Sequence, residues 1–318
     1  MRRQIFITNV VAWCLVAFVA VAPSQQKSKP ARRAKLPTFE GTLTTQFFFD
    51  NVFTKLVGKR PANPSAVVAT TPAPSGRTPS PNAGGTSYSW AKLISSGTIE
   101  DEVKAIKLSV DKGVTTPSDF AGRGYKIARR EFSLLAMLFG IIHDYDDDVR
   151  WKSDSAVARD RFARSASNAK AGGNSNVYKE AQMRQEDLGR LLRGSGLEGQ
   201  AERPENVWSE LADRALLMQR LEIGFNGRLS GWTSGQNEFS RNREEVLHEA
   251  EIIAAISEVL SREGMEDGDD EDYVVFVKRM QAAAADVAEA VRLDSPNQAR
   301  QAAGEINKAC SECHELYR

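Results

Sequence analysis

The chain closes on Ala309-Cys310-Ser311-Glu312-Cys313-His314-Glu315-Leu316-Tyr317-Arg318. Cys-x-x-Cys-His is the attachment signature of c-type haem. Its spacing has a physical reason. On a helix, cysteines three positions apart share a face, so two thiols can reach the two vinyl groups of one porphyrin. The adjacent His314 then lies under the ring and can give an imidazole nitrogen to the iron as proximal ligand. The expectation is one covalent haem c, held by Cys310 and Cys313. Other chemistries fit less well. A thioredoxin-like redox pair sits at the start of a helix in an α/β domain, where the helix dipole lowers a thiol pKa. A structural zinc site needs four ligands, and only His143 and His248 remain as histidines, with no second cysteine pair. A plain disulfide across the motif reads as an off-pathway product.

Such a motif needs a helix whose cysteine-bearing face is apolar. Ala299, Ala302, Ala303, Ile306, Cys310, Cys313 and Tyr317 follow three- and four-residue steps along one stripe. The stripe that carries the motif is therefore the core-facing one. Ser295 is placed to cap this helix, with Pro296 in its first position and Gln298 completing a capping box. Helix candidates upstream are 205–223, 237–262 and 271–292. With 296–317 they make four helices joined by short loops, as in an up-and-down four-helix bundle. Alanines at 282–285, 288, 290, 250, 254 and 255 leave room for a planar cofactor, although they also simply favour helix.

The region before this reads helical as well. Thr98 can cap a helix that begins at Ile99, followed by candidates 120–145, 153–171 and 177–193. No alternating strand pattern is found, so the fold class is all-α. Gly194, Gly196, Gly199 and Pro204 mark a break between a helical region, 89–200, and a haem-binding bundle, 201–318. Shifting the chain by 118 positions superposes Trp90-x-x-Leu93 on Trp208-x-x-Leu211 and 131–142 on 249–260, a faint sign that the first region is a diverged bundle. Ahead of it, 61–88 is a Pro/Ser/Thr-rich linker, 39–60 a short aromatic-rich segment and 25–38 a disordered basic segment. Residues 1–24 match a secretory signal peptide, with Arg2 and Arg3 before an apolar run and cleavage before Gln25. The alternative is an uncleaved anchor, slightly short of the roughly 20 residues a span needs. Export, periplasmic or otherwise, agrees with covalent haem retention. Cys14 lies inside this segment and receives no role.

Composition narrows the partners. Of 318 residues, 42 are basic and 42 acidic, giving no net charge. That argues against a general nucleic-acid binder. The acidic runs Asp144 with Asp146 to Asp148, and Asp267 with Asp269 to Asp272, read as solvated turns, the second able to steer a basic redox partner. Trp90, Trp151, Trp208 and Trp232 read as core or boundary aromatics. No membrane contact is expected beyond the possible anchor.

The ending Cys310-x-x-Cys313-His314-x-x-Tyr317-Arg318 resembles the class II c-type cytochromes, the cytochrome c prime type. The resemblance covers 205–318; residues 25–200 depart from that family's usual single bundle. It implies a four-helix bundle with haem near the end of the last helix, Cys310 and Cys313 as thioether residues, His314 as proximal ligand and Arg318 beside the haem one turn on. It further implies that the first helix presents the distal residue one turn after an arginine. Arg214-Ala-Leu-Leu-Met218 looks like that arrangement, with Arg214 at the haem and Met218 as distal ligand. A core role for Met218 competes, as do Met137 as ligand and an iron with no distal protein ligand. His143 and His248, beside charged residues, are expected at the surface. Three functions follow: a one-electron carrier working with redox partner proteins, a five-coordinate haem protein that binds or senses small gases, or an interaction protein with a vestigial haem site. No acid–base residue is visibly placed over the iron, which favours a carrier over a catalyst.

Overall fold

A computed structural model describes residues 89–317, so the expected signal peptide, basic segment, aromatic segment and linker, and Arg318, lie outside the described residues. Every regular element among the described residues is helical. Helix α1, Ser96–Gly113, buries Ile99, Val103, Ile106 and Val110, the spacing of a single core-facing stripe. Helix α2, Tyr125–Asp144, is buried almost without interruption from Phe132 to Ile142 and takes a central place. Helices α3, Ser155–Asn168, and α4, Ser175–Leu192, complete the first half. The second half holds α5, Arg214–Gly224, α6, Arg243–Leu260, α7, Glu271–Arg292, and α8, Pro296–Leu316. α2 packs on α3, α6 on α7 and α7 on α8, while α1 lies against α2. One apolar core runs through both halves.

Four local expectations are corrected. α1 starts before Thr98, because the Ser95 hydroxyl accepts the Thr98 N–H and donates to Glu251 across the core. Ser295 does precede α8, but its side chain makes no capping bond, so the capping box with Gln298 is not formed. Candidate 205–223 is broken, with a short helix Trp208–Leu211 followed by Ala212 in extended conformation. Asp213 forces the break, since its carboxylate caps α5 through the Ala215 N–H while its own N–H donates to the Ser133 hydroxyl at 3.3 Å. Candidate 237–262 is likewise divided, at Asn242, into Gln236–Arg241 and α6.

The 118-residue shift reappears in space. It carries Trp90–Lys92 into Trp208–Leu211, α1 onto α5 with the π-turn Phe225–Leu229 that follows it, α2 onto α6, α3 into α7 and most of α4 onto α8. Contacts between the halves are reciprocal under the same shift. The Ser95 N–H donates to Glu251 at 3.0 Å, and the equivalent Asp213 N–H donates to Ser133, the equivalent of Glu251. Trp90 meets its counterpart Trp208 with ring centroids 5.5 Å apart. Glu102 meets its counterpart Arg220, whose Nε donates to Glu102 Oε1 at 2.7 Å. Contacts of the form i to j and j to i are those of an isologous interface around a two-fold axis.

Candidate functional site

Helix α8 brings the sequence motif to a cavity. Along its length Ala299, Ala302, Ala303, Ile306, Ala309 and Cys313 are buried, with Cys310 half-buried and His314 exposed at the edge. The helix is held at its end by Tyr317, whose hydroxyl donates to Asp270 at 3.0 Å and whose ring packs edge-on against Tyr273 and Phe276. Asp270 also caps α7, accepting from the Asp272 and Tyr273 N–H groups. One carboxylate thus fixes the start of α7 and the end of α8 beside the motif.

The cavity has a volume of about 420 Å³, within the roughly 300–1,000 Å³ of small-molecule and cofactor sites. Cys310, Cys313 and His314 line it from α8, Phe276, Val277 and Met280 from α7. On the third side stand Ala215, Met218, Gln219 and Glu222 of α5, then Phe225 and Asn226 of the π-turn. Cys310 Sγ lies 3.7 Å from Met280 Sδ. Both cysteines are free thiols. Burial, with the neighbouring Cys313, pushes the Cys310 thiol up to about 11. Burial also raises that of Cys313, against the opposing pull of the Arg214 guanidinium. Neither thiol carries the lowered pKa that marks an active redox cysteine.

Of the residues singled out in sequence, Cys310, Cys313, His314 and Met218 converge on this one cavity. Arg214 does not line it. Its guanidinium is engaged by Glu266 at 3.0 Å and Asp267 at 2.5 Å and lies 5.7 Å from the centre of the Tyr273 ring. The second acidic run is therefore partly a clamp on α5. Met137 is buried in the core on α2, away from the cavity. His143 and His248 are half-buried, contrary to the surface placement expected. The first has Nε2 3.2 Å from the Pro204 carbonyl; the second has Nε2 2.9 Å from Glu102.

Three contributors had no signal specific enough to find them. Met280 was one residue in an alanine-rich helix. Glu222 and Gln219 follow Met218 by four and one positions, so only the assumption that α5 faces the cofactor would have selected them. Between them the lining groups offer two thiols, one imidazole, two thioethers and one carboxylate around an otherwise mostly apolar space. That donor set, two thiols with nitrogen and thioether groups around an apolar space, is of the kind that holds a covalent haem. No helix among the described residues is long and apolar enough to cross a membrane. Comparison with protein-family models, with curated proteins and with solved structures gives no match.

Proposed function

We propose that this chain is an exported monohaem c-type cytochrome whose helices α5 to α8 act as a four-helix bundle around the cofactor and which carries single electrons between partner proteins. The observation that supports the reading is the convergence of Cys310, Cys313, His314 and Met218 on one cavity of about 420 Å³. Cys310 and Cys313 would hold the porphyrin as thioethers, His314 would take the proximal position, and Met218 would supply the distal thioether. The haem would supply a one-electron Fe(III)/Fe(II) couple, and a thioether ligand raises its potential. This chain's own part is to bind, orient and shield. Phe276, Val277 and Phe225 would shield the cofactor from water, while the exposed position of His314 would leave one edge toward solvent.

The apolar lining also supports a second reading. With Met218 packed as core filler, Phe225, Leu221 and Val277 would form an apolar pocket for a small uncharged gas. Absorption spectra of the protein matured with haem-attachment machinery separate the two. Low-spin bands that carbon monoxide leaves unchanged fit the carrier. A high-spin spectrum that shifts with carbon monoxide fits the gas binder, and absence of covalent haem removes both.

A further inference from the structure

Helix α5 has two working faces. One presents Met218, Gln219 and Glu222 to the cavity. The other carries Arg220, 5% exposed, which bridges the two halves. Its Nε and Nη2 donate to the two oxygens of Glu102 on α1 at 2.7 and 3.1 Å. Its Nη1 and Nη2 donate to Glu249 on α6 at 2.7 and 3.2 Å. A planar guanidinium gripped bidentately from two sides has its orientation fixed as well as its position. Gly224 permits the approach, since a Cβ there would stand 2.5 Å from Glu249 Oε2 and 2.6 Å from Arg220 Nη1. α5 has only 11 residues, and the cavity lies along its other side. Asp213 and the clamp on Arg214 hold the start of α5, and Leu217 and Leu221 pack in the core; Arg220 is the ion-paired contact that ties its middle to the other half.

We propose that Glu102, supplied by the half that lacks the haem motif, is a positioning residue for the haem site: through Arg220 it fixes the seat and rotation of the helix that presents Met218, Gln219 and Glu222. The proposal rests on the cytochrome reading above. Burial would favour a neutral Glu102, but the Arg220 guanidinium and His248 hold its carboxyl far below the usual range. The grip is therefore an ion pair at any pH near neutral.

The test compares the full chain with Glu102→Gln, and with Asp101→Asn as a control on the exposed face of the same helix. In the chain without haem, backbone hydrogen exchange of residues 216–222 is expected to quicken about tenfold in Glu102→Gln, while α3 and α4 keep the wild-type rate. In the loaded chain, the ferric bands shift toward high spin, and carbon monoxide, which leaves the wild-type bands unchanged, shifts those of the reduced variant. Asp101→Asn changes neither. Equal acceleration in α4 and α5, or a loaded Glu102→Gln chain with wild-type bands that carbon monoxide leaves unchanged, overturns the proposal. Should Glu102→Gln fail to fold, Glu102→Asp keeps the charge, withdraws it by one methylene and is read in the same way. A wild-type chain without covalent haem would sink the cytochrome reading, while the exchange arm would still decide whether Glu102 seats α5.

Discussion

Replacing Arg220 with methionine removes the centre of the interface and leaves Glu102 and Glu249 facing one another. Both carboxylates are buried, 5% and 1% exposed. Removing one partner of a buried ion pair costs about 3–5 kcal/mol, because the survivor keeps its desolvation without its compensation. Here two survivors remain, eased only by His248 on Glu102 and the half-exposed Arg228 on Glu249. For a chain of this size the loss corresponds to about 6–20 °C in Tm. The pH dependence gives the sharper test. In the wild type the Glu102 carboxyl is held below its unfolded value. Its contribution is full above the ordinary carboxylate pKa, about 4.3, and is lost as the pH falls toward the depressed one. Without Arg220, burial dominates and the Glu102 carboxyl pKa rises above the unfolded value. A group shifted that way contributes below the unfolded pKa and loses its contribution as the pH rises. The deficit of Arg220→Met should therefore be largest at pH 7.5 and shrink toward pH 4.5. Urea and thermal unfolding of the full chain, followed by far-UV circular dichroism at both pH values, measure it. A deficit under about 1 kcal/mol, or one that widens in acid, would refute the reasoning. The companion variant Glu102→Gln/Arg220→Met/Glu249→Gln should recover part of the loss, since no buried charge is then left alone.

Other perturbations are simpler. Cys310→Ser/Cys313→Ser should abolish covalent haem, read as loss of the haem stain on a denaturing gel; a retained stain would remove the attachment assignment. Before loading, Cys310 near pKa 11 is only about one part in a thousand thiolate at pH 8, so alkylation of the folded chain should be about a hundredfold slower than in denaturant. Tyr145→Phe should cost about 1–2 kcal/mol, because the buried Tyr145 hydroxyl donates to the Ile94 carbonyl at 2.7 Å and leaves it unpaired when removed. Gly140→Ala places a methyl 3.0 Å from Leu211 Cδ1 and 3.2 Å from the Trp208 ring. Overpacking there should outweigh the helix-propensity gain and destabilise by about 1 kcal/mol, measured by the urea midpoint.

How much of this was readable in sequence depended on whether a cause was local. α7 spans 271–292 as the periodicity predicts, and α8 ends one residue short of its predicted limit. Asp270 and Pro296, which open these two helices, are local signals. The break at Ala212–Asp213 was not legible, because the group that receives the Asp213 N–H is Ser133, 80 positions away. The π-turns at Phe120–Gly124 and Phe225–Leu229 escaped for a different reason. Each shifts the apolar phase by a fraction of a turn, too little to disturb a three- and four-residue pattern. The Glu102–Arg220–Glu249 cluster was hidden by the pattern itself, which assigns every charge to the solvent face. In the site, the motif was legible as types at a spacing, and Met218 was singled out only by the likeness to the cytochrome c prime type. Met280 and Glu222 were not, since their importance comes only from how α5 and α7 rotate toward α8.

The repeat gives the half without the Cys-x-x-Cys-His motif a different physical task from its counterpart. At the positions equivalent to Cys310, Cys313 and His314 it has Leu192, Ser195 and Gly196, and at that of Met218 it has Glu100. Phe162 and Arg159, equivalent to Met280 and Val277 of the cavity, are fully buried, Phe162 against Phe139 at 5.7 Å. The Trp151 indole N–H and the Arg150 guanidinium then donate to the carbonyls of Leu191 and Leu192, closing the end of α4 where α8 bears its motif. At these positions the first half carries buried side chains where the second half lines its cavity. The interface shows why both belong to one chain. In a symmetric pair of identical subunits, the residue at the position of Glu102 would face a copy of itself, glutamate to glutamate or arginine to arginine. Two halves that diverge within a single sequence can set Glu102 opposite Arg220, turning a like-charge clash at the axis into a bidentate ion pair.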